Sequence, residues 1–424
     1  MKLSRFGRIT LAFVAMIAMG LSMTACGGFT VAYIWVLGTQ YNQISAFKVD
    51  DFTGNLTPSL GSPYSSAGPN PHAIAVRPGG RFVYVLNQGT GTGDGNIAVF
   101  TVGGDGNLAY QATYYSQGNT PIWLTVDASG NYLYVLDEFD PTNKPGAVPC
   151  SQSPTDQNCA TGKGDITSFS IDPDTGRLAL VTNSSVKTTP GSQIQLSYFP
   201  VGPKPTMLRL SGSSCVYAMD TGDQTIFPYS VAGGGQLNLT TNSSQGIATG
   251  AVNLTSITTN GSYVYLTDAN PTAASPGGQI LYYSVGSGCS LNSVTGGAVN
   301  NLAQTQNPVY SLVDNTGKFF YVLNSSTTNA AVPNSSISQY AILPNGQLSP
   351  LPQVSVNPIT VGAGPICAIE DPSGQYIYTS NNQASTVTGK IINSVTGYLS
   401  DLNRGPSFPT SLRPSCLGFS GNTD

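Results

Sequence analysis

Charged residues are scarce in this sequence. Among its 424 residues, 16 are Lys or Arg and 20 are Asp or Glu, which gives a formal net charge of −4. Charged residues make up 8% of the chain, against about 25% in an average soluble protein. No basic tract is available to neutralise nucleic-acid phosphates, so the sequence argues against nucleic acid as a partner.

Several chemical motifs are absent as well. The sequence has one histidine, His72, and it has no Cys-x-x-Cys pair, no phosphate-binding glycine loop and no Gly-x-Ser-x-Gly nucleophile motif. A zinc ribbon, a P-loop nucleotide site and an α/β-hydrolase nucleophile are therefore not predicted. We predict no cofactor and no catalytic metal.

The first residues read as an export signal. Lys2, Arg5 and Arg8 precede the apolar run ITLAFVAMIAMGLSM, which is followed by TACGG. The run is too short for a transmembrane helix, which needs about 20 apolar residues. The stretch MTAC around Cys26 resembles the lipobox of bacterial lipoproteins; the alternative is an ordinary signal peptide followed by an accidental Cys.

The lipobox interpretation predicts how the chain is organised and where it resides. Residues 1–25 are the signal peptide, and residues 26–30 are the lipidated Cys26 with a short tether. The protein would then be held by Cys26 on the extracytoplasmic side of the bacterial cell envelope, because multiple acyl chains give stable membrane anchoring.

Six cysteines remain after Cys26, and an even number in an exported chain permits disulfide bonds. Cys150 and Cys159 lie in one Pro- and Ser-rich insertion, PCSQSPTDQNCA, and we predict that they pair. The sequence leaves the pairing of Cys215, Cys289, Cys367 and Cys416 open.

A repeated unit covers most of the chain. PHAIAVRPGGRFVYVLN, which begins at Pro71, contains two apolar strands around a Pro-Gly-Gly turn. Similar units begin at Pro121, Pro205, Val252, Pro308 and Pro365. Third strands such as NIAVFTV and QILYYSV follow most units, and then comes a turn with Gly and Leu. The spacing of about 50 residues is typical of four-stranded propeller blades.

The two ends of the chain complete a seventh unit. RPSCLGFSG, from Arg413, contains only a first strand, whereas VAYIWVLG and QISAFKV near the N-terminus supply a second and a third strand. We therefore predict an all-β, seven-bladed β-propeller over residues 31–424, a single monomeric domain closed by pairing of its N- and C-terminal strands. The tyrosines of the second strands are predicted to pack between blades.

The units GRFVYVLN, GNYLYVLD and GKFFYVLN, with PNPHAIAV before the first, resemble the seven-bladed propeller lactonase family. That family includes propeller-type 6-phosphogluconolactonases and fungal muconate cycloisomerases, and YVTN-type repeat propellers are similar. The resemblance implies a reaction at a lactone ring in the mouth of the central channel, using His, Glu and Arg side chains. The single His and the scarcity of charge depart from that pattern.

Few ionisable residues fall on the strands predicted to line the channel. His72 could act as general base, because an imidazole with a pKa near 6.5 exchanges protons at neutral pH. Arg209 and Glu370 complete the predicted catalytic set, although a structural ion pair is the favoured interpretation of both. Lys204 and Arg413, just before their strands, are candidate substrate-binding residues.

The second strands end in a ring of Asn and Asp residues on the predicted binding face. Such short side chains commonly cap loop amides; alternatively, they could contact a sugar-like ligand or supply oxygen ligands to a structural Ca²⁺. The ring consists of Asn87, Asp137, Asp220, Asp268, Asn324 and Asn381.

Two functions follow from these observations. One is hydrolysis of a sugar or other lactone, with His72 as base and Arg209 or Arg413 orienting the substrate. The other is non-catalytic binding of a glycan or protein at the cell envelope. Phosphorylated 6-phosphogluconolactone is a less suitable substrate than the wider lactone class, because no basic cluster is present to bind its phosphate.

Overall fold

The computed structural model shows a β-propeller whose seven sheets are arranged around a central channel. It describes residues 30–143, 152, 162–183, 186–189, 192–194, 196–212, 214–240, 246–303, 306–326, 335–352, 357–411 and 413–420. We number the blades 1 to 7 from the unit at Pro71, so that blade 7 contains both chain ends. Strands are numbered in chain order.

The N-terminal strands belong to blade 7, and blades 1 and 2 follow. Blade 7 begins with β1 (Thr30–Gly38), β2 (Gln43–Asp50), β3 (Leu56–Pro58) and β4 (Tyr64–Ser65). Blade 1 contains β5 (Pro71–Val76), β6 (Phe82–Asn87), β7 (Asn96–Val102) and β8 (Leu108–Tyr114). Blade 2 contains β9 (Asn119–Val126), β10 (Tyr132–Phe139), β11 (Asp165–Ile171), β12 (Leu178–Val181) and, after a separate hairpin of β13 (Val186–Thr189) and β14 (Ser192–Ile194), β15 (Phe199–Pro200).

Blades 3 and 4 occupy the middle of the chain. Blade 3 contains β16 (Pro205–Ser211), β17 (Cys215–Asp220), β18 (Thr225–Val231), β19 (Leu237–Leu239) and β20 (Ile247–Ala248). Blade 4 contains β21 (Leu254–Thr259), β22 (Tyr263–Asp268), β23 (Gln279–Val285), a 3₁₀ turn (Ser287–Cys289) and β24 (Leu291–Asn300). The inner strand of blade 4 thus begins two residues after the start expected at Val252, because Leu254 is the residue that pairs with Asp268.

The remaining strands form blades 5 and 6 and close the ring. Blade 5 contains β25 (Gln306–Val313), β26 (Phe319–Ser326), β27 (Ser336–Ile342), β28 (Leu348–Pro350) and β29 (Ile359–Thr360). Blade 6 contains β30 (Pro365–Glu370), β31 (Tyr376–Asn381), β32 (Thr386–Ile392), β33 (Leu399–Asp401) and β34 (Ser407–Pro409). The last strand, β35 (Pro414–Ser420), returns to blade 7.

Ring closure follows the predicted scheme. Strand β35 is the innermost strand of blade 7 and pairs antiparallel with β1, with Trp35 opposite Gly418 and Val36 opposite Leu417. Closure therefore gives β1 a partner on its inner edge, which would otherwise be open to pairing with another chain. The prediction of a seven-bladed propeller closed by its two ends is confirmed.

The repeated tyrosines and glycines are explained by contacts between neighbouring blades. In several blades the second-strand aromatic residue donates a hydrogen bond to a carbonyl oxygen in the Gly-Leu turn of the next blade. Tyr84 reaches Gly176 at 3.0 Å, Tyr321 reaches Gly397 at 2.9 Å, and in blade 7 the Trp35 indole reaches Gly106 at 3.1 Å. Each such bond satisfies a buried polar group while the ring fills the space between blades.

The glycine in that turn is required for two reasons. Gly106 has φ +76°, a left-handed conformation that glycine adopts without the steric cost of a Cβ. A Cβ at this position would also collide with the ring of Tyr33, which packs over the turn. The Gly-Leu turn is therefore a packing device of the fold rather than a ligand loop.

Two disulfide bonds resolve the pairing that the sequence left open. Cys215 in blade 3 pairs with Cys289 in blade 4, and Cys367 on β30 pairs with Cys416 on β35. The second bond fastens the C-terminal strand to the neighbouring blade inside the channel. Cys26, Cys150 and Cys159 lie outside the described residues, so the lipidation and the predicted local disulfide bond remain predictions.

Candidate functional site

The channel is lined by the inner strands of all seven blades and encloses a cavity of about 340 Å³. Its wall combines apolar side chains such as Ile74, Leu124 and Leu417 with exposed polar atoms. Among the described residues that line it, Arg209 is the only charged one. An anionic ligand in the channel would therefore be oriented mainly by Arg209.

Arg209 is held by aromatic faces. Its guanidinium carbon lies 4.9 Å from the centre of the Trp123 ring in blade 2 and 5.2 Å from that of Tyr310 in blade 5. One guanidinium nitrogen donates to the carbonyl oxygen of Leu208 at 3.1 Å. Within the part of the chain that the structure describes, no carboxylate pairs with it, so the ion pair considered from the sequence is not formed.

His72 lies at one end of the channel, beside a second cavity of about 200 Å³. This mouth cavity is also lined by Ile122, Glu138, Lys204, Pro205 and Thr206, so it lies where blades 1, 2 and 3 meet. No hydrogen bond involves the imidazole among the described residues. Desolvation lowers the pKa of His72 below its usual 6.5, which leaves the ring neutral and able to accept a proton at pH 7.

The predicted catalytic residues do not form one cluster. Arg209 is the fifth residue of its inner strand and His72 the second, which puts Arg209 about 10 Å deeper along the channel axis. Strand β9 connects them, since it contributes Ile122 to the mouth cavity and Trp123 to the channel. His72 and Arg209 can therefore contact different parts of one extended ligand.

Glu370 lies elsewhere. It is the last residue of β30, about 13 Å further along the channel axis than the level of His72. Its carboxylate accepts the backbone amide of Asn315 at 2.6 Å, and burial, together with the charges of Asp314 and Asp371, raises its pKa to about 8. The structure places Glu370 at the hairpin end, where it connects blades 5 and 6, so its predicted catalytic role is not retained.

The two predicted substrate-binding cations differ in position. Lys204 lines the mouth cavity, while its backbone amide donates to Asp220 at 2.9 Å. Arg413 is exposed and does not line that cavity, and its carbonyl oxygen accepts hydrogen bonds from Thr39. Lys204 is thus positioned to contact a ligand beside His72.

The ring of Asn and Asp side chains is buried, with each member at most 1% exposed. Asp220 and Asp268 each accept three backbone amides, and Asn381 and Asn324 hydrogen-bond to nearby hydroxyl groups. These side chains cap strand ends and do not line the mouth cavity. Asp137 is the exception, because it faces a second buried acid.

Glu138 is the mouth residue that the sequence did not single out. It directly follows Asp137 at the end of the second strand of blade 2 and lines the same cavity as His72 and Lys204. An acid one residue beyond the ring position, at the start of the longest loop, was the available signal. Glu138 could be recognised as a site residue only from the structure, which shows that the end of β10 in blade 2 lies beside His72 in blade 1.

Comparisons with known proteins agree with this fold. Residues 29–143 match the model of a family described as Lactonase, 7-bladed beta-propeller. The resemblance to the propeller lactonase family is confirmed over that segment. It spans the N-terminal strands of blade 7, blade 1 and the first two strands of blade 2, and thus includes His72 and Glu138.

Solved structures similar to this propeller include a candidate 6-phosphogluconolactonase of Bacteroides uniformis, with 18% identity, a TM-score of 0.65 and coverage of 92% of this chain and 99% of that one. The periplasmic gluconolactonase of Pseudomonas aeruginosa has 16% identity, a TM-score of 0.60 and coverage of 92% and 99%. At such identities the likeness shows the fold alone. No curated protein matches the sequence.

Among the described residues, no group of three or more His, Cys, Asp or Glu side chains is arranged to hold a metal ion. In the same part of the chain, no helix is long and apolar enough to cross a bilayer.

Proposed function

We propose that this protein hydrolyses lactones at the mouth of its channel. The observation that carries the proposal is the neutral imidazole of His72, which has no hydrogen-bond partner among the described residues and faces a cavity together with Glu138 and Lys204. A general base must be deprotonated and free to reach its proton, and His72 meets both conditions. The match of residues 29–143 to the lactonase propeller model supports the same class of reaction.

The reaction follows from the groups at the mouth. His72 removes a proton from water, and the resulting hydroxide attacks the lactone carbonyl carbon. The Lys204 ammonium stabilises the oxyanion that forms, since a positive charge is most effective where negative charge develops. The ring C–O bond then breaks, the alkoxide takes the proton back from His72, and the product is a hydroxy acid. Glu138 can hydrogen-bond hydroxyl groups of the substrate.

Arg209 extends the site into the channel. A guanidinium stacked between two aromatic rings retains in-plane donors for a carboxylate, and these donors favour a substrate with an acidic group remote from the lactone carbonyl. The chemistry suits a sugar lactone that carries a carboxylate better than one that carries a phosphate, because among the described lining residues only Arg209 and Lys204 are cationic.

The test is hydrolysis of a lactone panel of neutral, carboxylated and phosphorylated sugar lactones. We expect turnover that falls at acid pH as His72 protonates, below its usual 6.5, and a His72→Gln variant slower by about 10² to 10⁴-fold with an unchanged unfolding temperature. Glu370→Gln, at the other end of the channel, is the matched control and should keep its rate at pH 7. Equal turnover by wild type and His72→Gln would refute the role of His72, and no turnover on any lactone would reject hydrolysis.

Export and lipid anchoring form a second part of the proposal. The sequence around Cys26 supports it, and two disulfide bonds within the propeller suit an oxidising compartment. Labelling of bacteria that express the full chain with a radioactive fatty acid should mark the wild type and leave Cys26→Ala unlabelled. Labelling of both, or of neither, would contradict the anchor at Cys26.

The alternative is ligand binding without catalysis. The observation that favours it is the channel itself, which pairs one cation with the aromatic faces of Trp123 and Tyr310 and has no other charged residue in its lining. Such a site resembles a binding pocket for a small anion or a glycan. Calorimetry with the same carboxylated sugars, showing binding without turnover, would favour this function.

A further inference from the structure

In every blade from 1 to 6, an Asn or Asp at or near the end of the second strand faces the first residue of the third strand. In five of these blades, an Asn or Asp faces a neutral polar residue. The five pairs are Asn87–Asn96, Asp220–Thr225, Asp268–Gln279, Asn324–Ser336 and Asn381–Thr386. Blade 2 differs, because Asp137 faces Asp165 and both side chains are 0% exposed.

The equivalent pair in blade 1 shows what these positions require. Asn87 donates its amide to Asn96 at 2.9 Å, so one donor fills the space between the two side chains. Two carboxylates at the same positions offer only acceptors. Since buried charges of like sign repel strongly, something positive must lie between them or one of them must be neutral.

Asp137 and Asp165 differ in their partners. Asp137 accepts hydrogen bonds from the Ser116 hydroxyl at 2.5 Å, from the Thr167 hydroxyl at 3.4 Å and from the Gly118 amide. Both carboxyl oxygens of Asp165 are buried without a hydrogen-bond partner in the described part of the chain. A buried carboxylate without a partner costs several kcal/mol, so this side chain calls for an explanation.

The surroundings of Asp165 supply further acceptors. A Cβ on Gly118 would collide with an Asp165 oxygen and would lie 2.5 Å from the carbonyl oxygen of Phe139, so these two oxygens converge on the same point. Burial raises the pKa of Asp165 well above its usual value, and the charges of Asp137 and Asp140 raise it further. Neither Asp137 nor Asp165 forms an ion pair with Lys or Arg among the residues described.

We propose that Asp137 and Asp165 bind a calcium ion that joins the ends of strands β10 and β11 in blade 2. Carboxylate and main-chain carbonyl oxygens are the ligands that Ca²⁺ prefers, and two carboxylates balance its charge. Mg²⁺ fits less well, because it retains several waters and the site is fully buried. With only two acidic side chains, the remaining ligands are main-chain oxygens such as that of Phe139, and water.

This site is separate from the mouth cavity. Glu138, between the two, lines the cavity beside His72, whereas Asp137 and Asp165 lie within the blade. The calcium ion therefore has a structural role and stands independently of the proposed lactone hydrolysis. It would fix the base of the long loop that leaves β10 and returns at β11.

The test compares calcium content and thermal unfolding of the purified full-length protein after treatment with a chelator and gel filtration. On return of about 10 mM CaCl₂ we expect one tightly retained Ca²⁺ per chain by elemental analysis and an unfolding temperature raised by about 3 °C, with equal MgCl₂ giving less than half of that shift. Asp165→Asn places an amide opposite Asp137, as blade 4 places Gln279 opposite Asp268, and should remove both the bound calcium and the shift.

The control is Asp268→Asn, whose carboxylate already accepts three backbone amides. It should lower the unfolding temperature and retain the calcium shift. If Asp165→Asn does not fold, Asp137→Asn offers the reverse arrangement of the same contact. If the wild type binds no calcium and its unfolding temperature does not rise with calcium, the proposal is overturned, and a proton shared by Asp137 and Asp165 explains the pair. If calcium still raises the unfolding temperature of both Asp165→Asn and Asp137→Asn, the calcium ion binds elsewhere.

Discussion

The two ends of the central channel use ionisable residues in opposite ways. At the hairpin end, Asp127, Asp314 and Asp371 each accept two backbone amides through one carboxylate oxygen, at 2.7 to 2.8 Å. At the mouth, His72 makes no hydrogen bond within the described residues and faces a cavity with Glu138. Acids at the hairpin end stabilise turns, and Asp220 and Asp268 cap the backbone at the mouth in the same way. The mouth differs because His72, Glu138 and Lys204 also line a cavity there, where they can contact a ligand.

The comparison shows where a protein with few charged residues can place a ligand-binding site. The hairpin turns repeat around the ring, so their acids are part of the repeat and have repeated partners. His72 and Lys204 flank the first residues of their inner strands, where each blade differs from the next. Groups that depart from the repeat are therefore better candidates for function than groups that follow it.

The largest expected effect concerns the Cys367–Cys416 disulfide bond, which lies inside the channel between its two ends. Replacing both Cys367 and Cys416 by Ser should lower the free energy of unfolding by about 4 kcal/mol, because the bond closes a loop with a sequence separation of 49 residues. Urea denaturation measures the loss. The mouth is built by blades 1, 2 and 3, whereas this disulfide bond joins blades 6 and 7, so the activity per folded molecule should be retained. A loss of activity in fully folded protein would show that the disulfide bond and the mouth are coupled.

The next effect concerns Glu370 and pH. Its pKa of about 8 in the fold exceeds the value of 4.5 for an unperturbed glutamate, so the folded carboxyl binds more protons than the unfolded one between these values. Stability should therefore fall as pH rises from about 4.5 to about 8 and should level off above that range.

Glu370→Gln isolates this contribution. All other titrating groups are the same in the wild type and in the variant, so the difference between the two pH curves belongs to Glu370. We expect the wild type to lose about 2 kcal/mol more than Glu370→Gln between pH 6 and pH 8. Urea denaturation at each pH measures these free energies of unfolding. If those of the wild type and of Glu370→Gln change equally with pH, Glu370 is already charged in the folded protein at pH 6.

A smaller effect is expected at Arg209, between the two ends. Arg209→Met retains packing against Trp123 and Tyr310 but removes the charge. For a carboxylated lactone, KM should rise about tenfold with little change in kcat, because a charge-assisted hydrogen bond contributes about 1.5 kcal/mol or more. A neutral lactone serves as the control. An equal rise for both substrates would mean that Arg209 shapes the channel rather than binding an anion.

The smallest effect is expected at a hairpin acid. Asp314→Asn retains one acceptor for the amides of Lys318 and Phe319 but loses its charge, so stability should fall by about 1 kcal/mol with kcat/KM unchanged. Glu138→Gln, at the mouth, should show the reverse: altered kinetics and an unchanged unfolding temperature. Reduced activity in Asp314→Asn would contradict the claim that the acids at the hairpin end affect stability alone.

Much of the fold was predictable because it repeats. The unit at Pro71 recurs with alternating apolar residues, a tyrosine and a Gly-Leu turn, and each of these has a packing reason, as Tyr84 and Gly106 show. The site was predictable only in part. His72 and Lys204 follow from their places in the repeat, but Glu138 does not, because nothing local indicates that its strand end lies beside His72.

The sequence by itself determined the number of blades, the closure of the ring and the strands that line the channel, because these depend on local periodicity and on the order of units. Only the tertiary structure decided that Glu370 lies at the far end from His72 and that Cys367 pairs with Cys416. It also decided that Asp137 meets Asp165. These contacts join residues that are distant in sequence, and the curvature of the ring, which no local pattern encodes, brings them together or holds them apart.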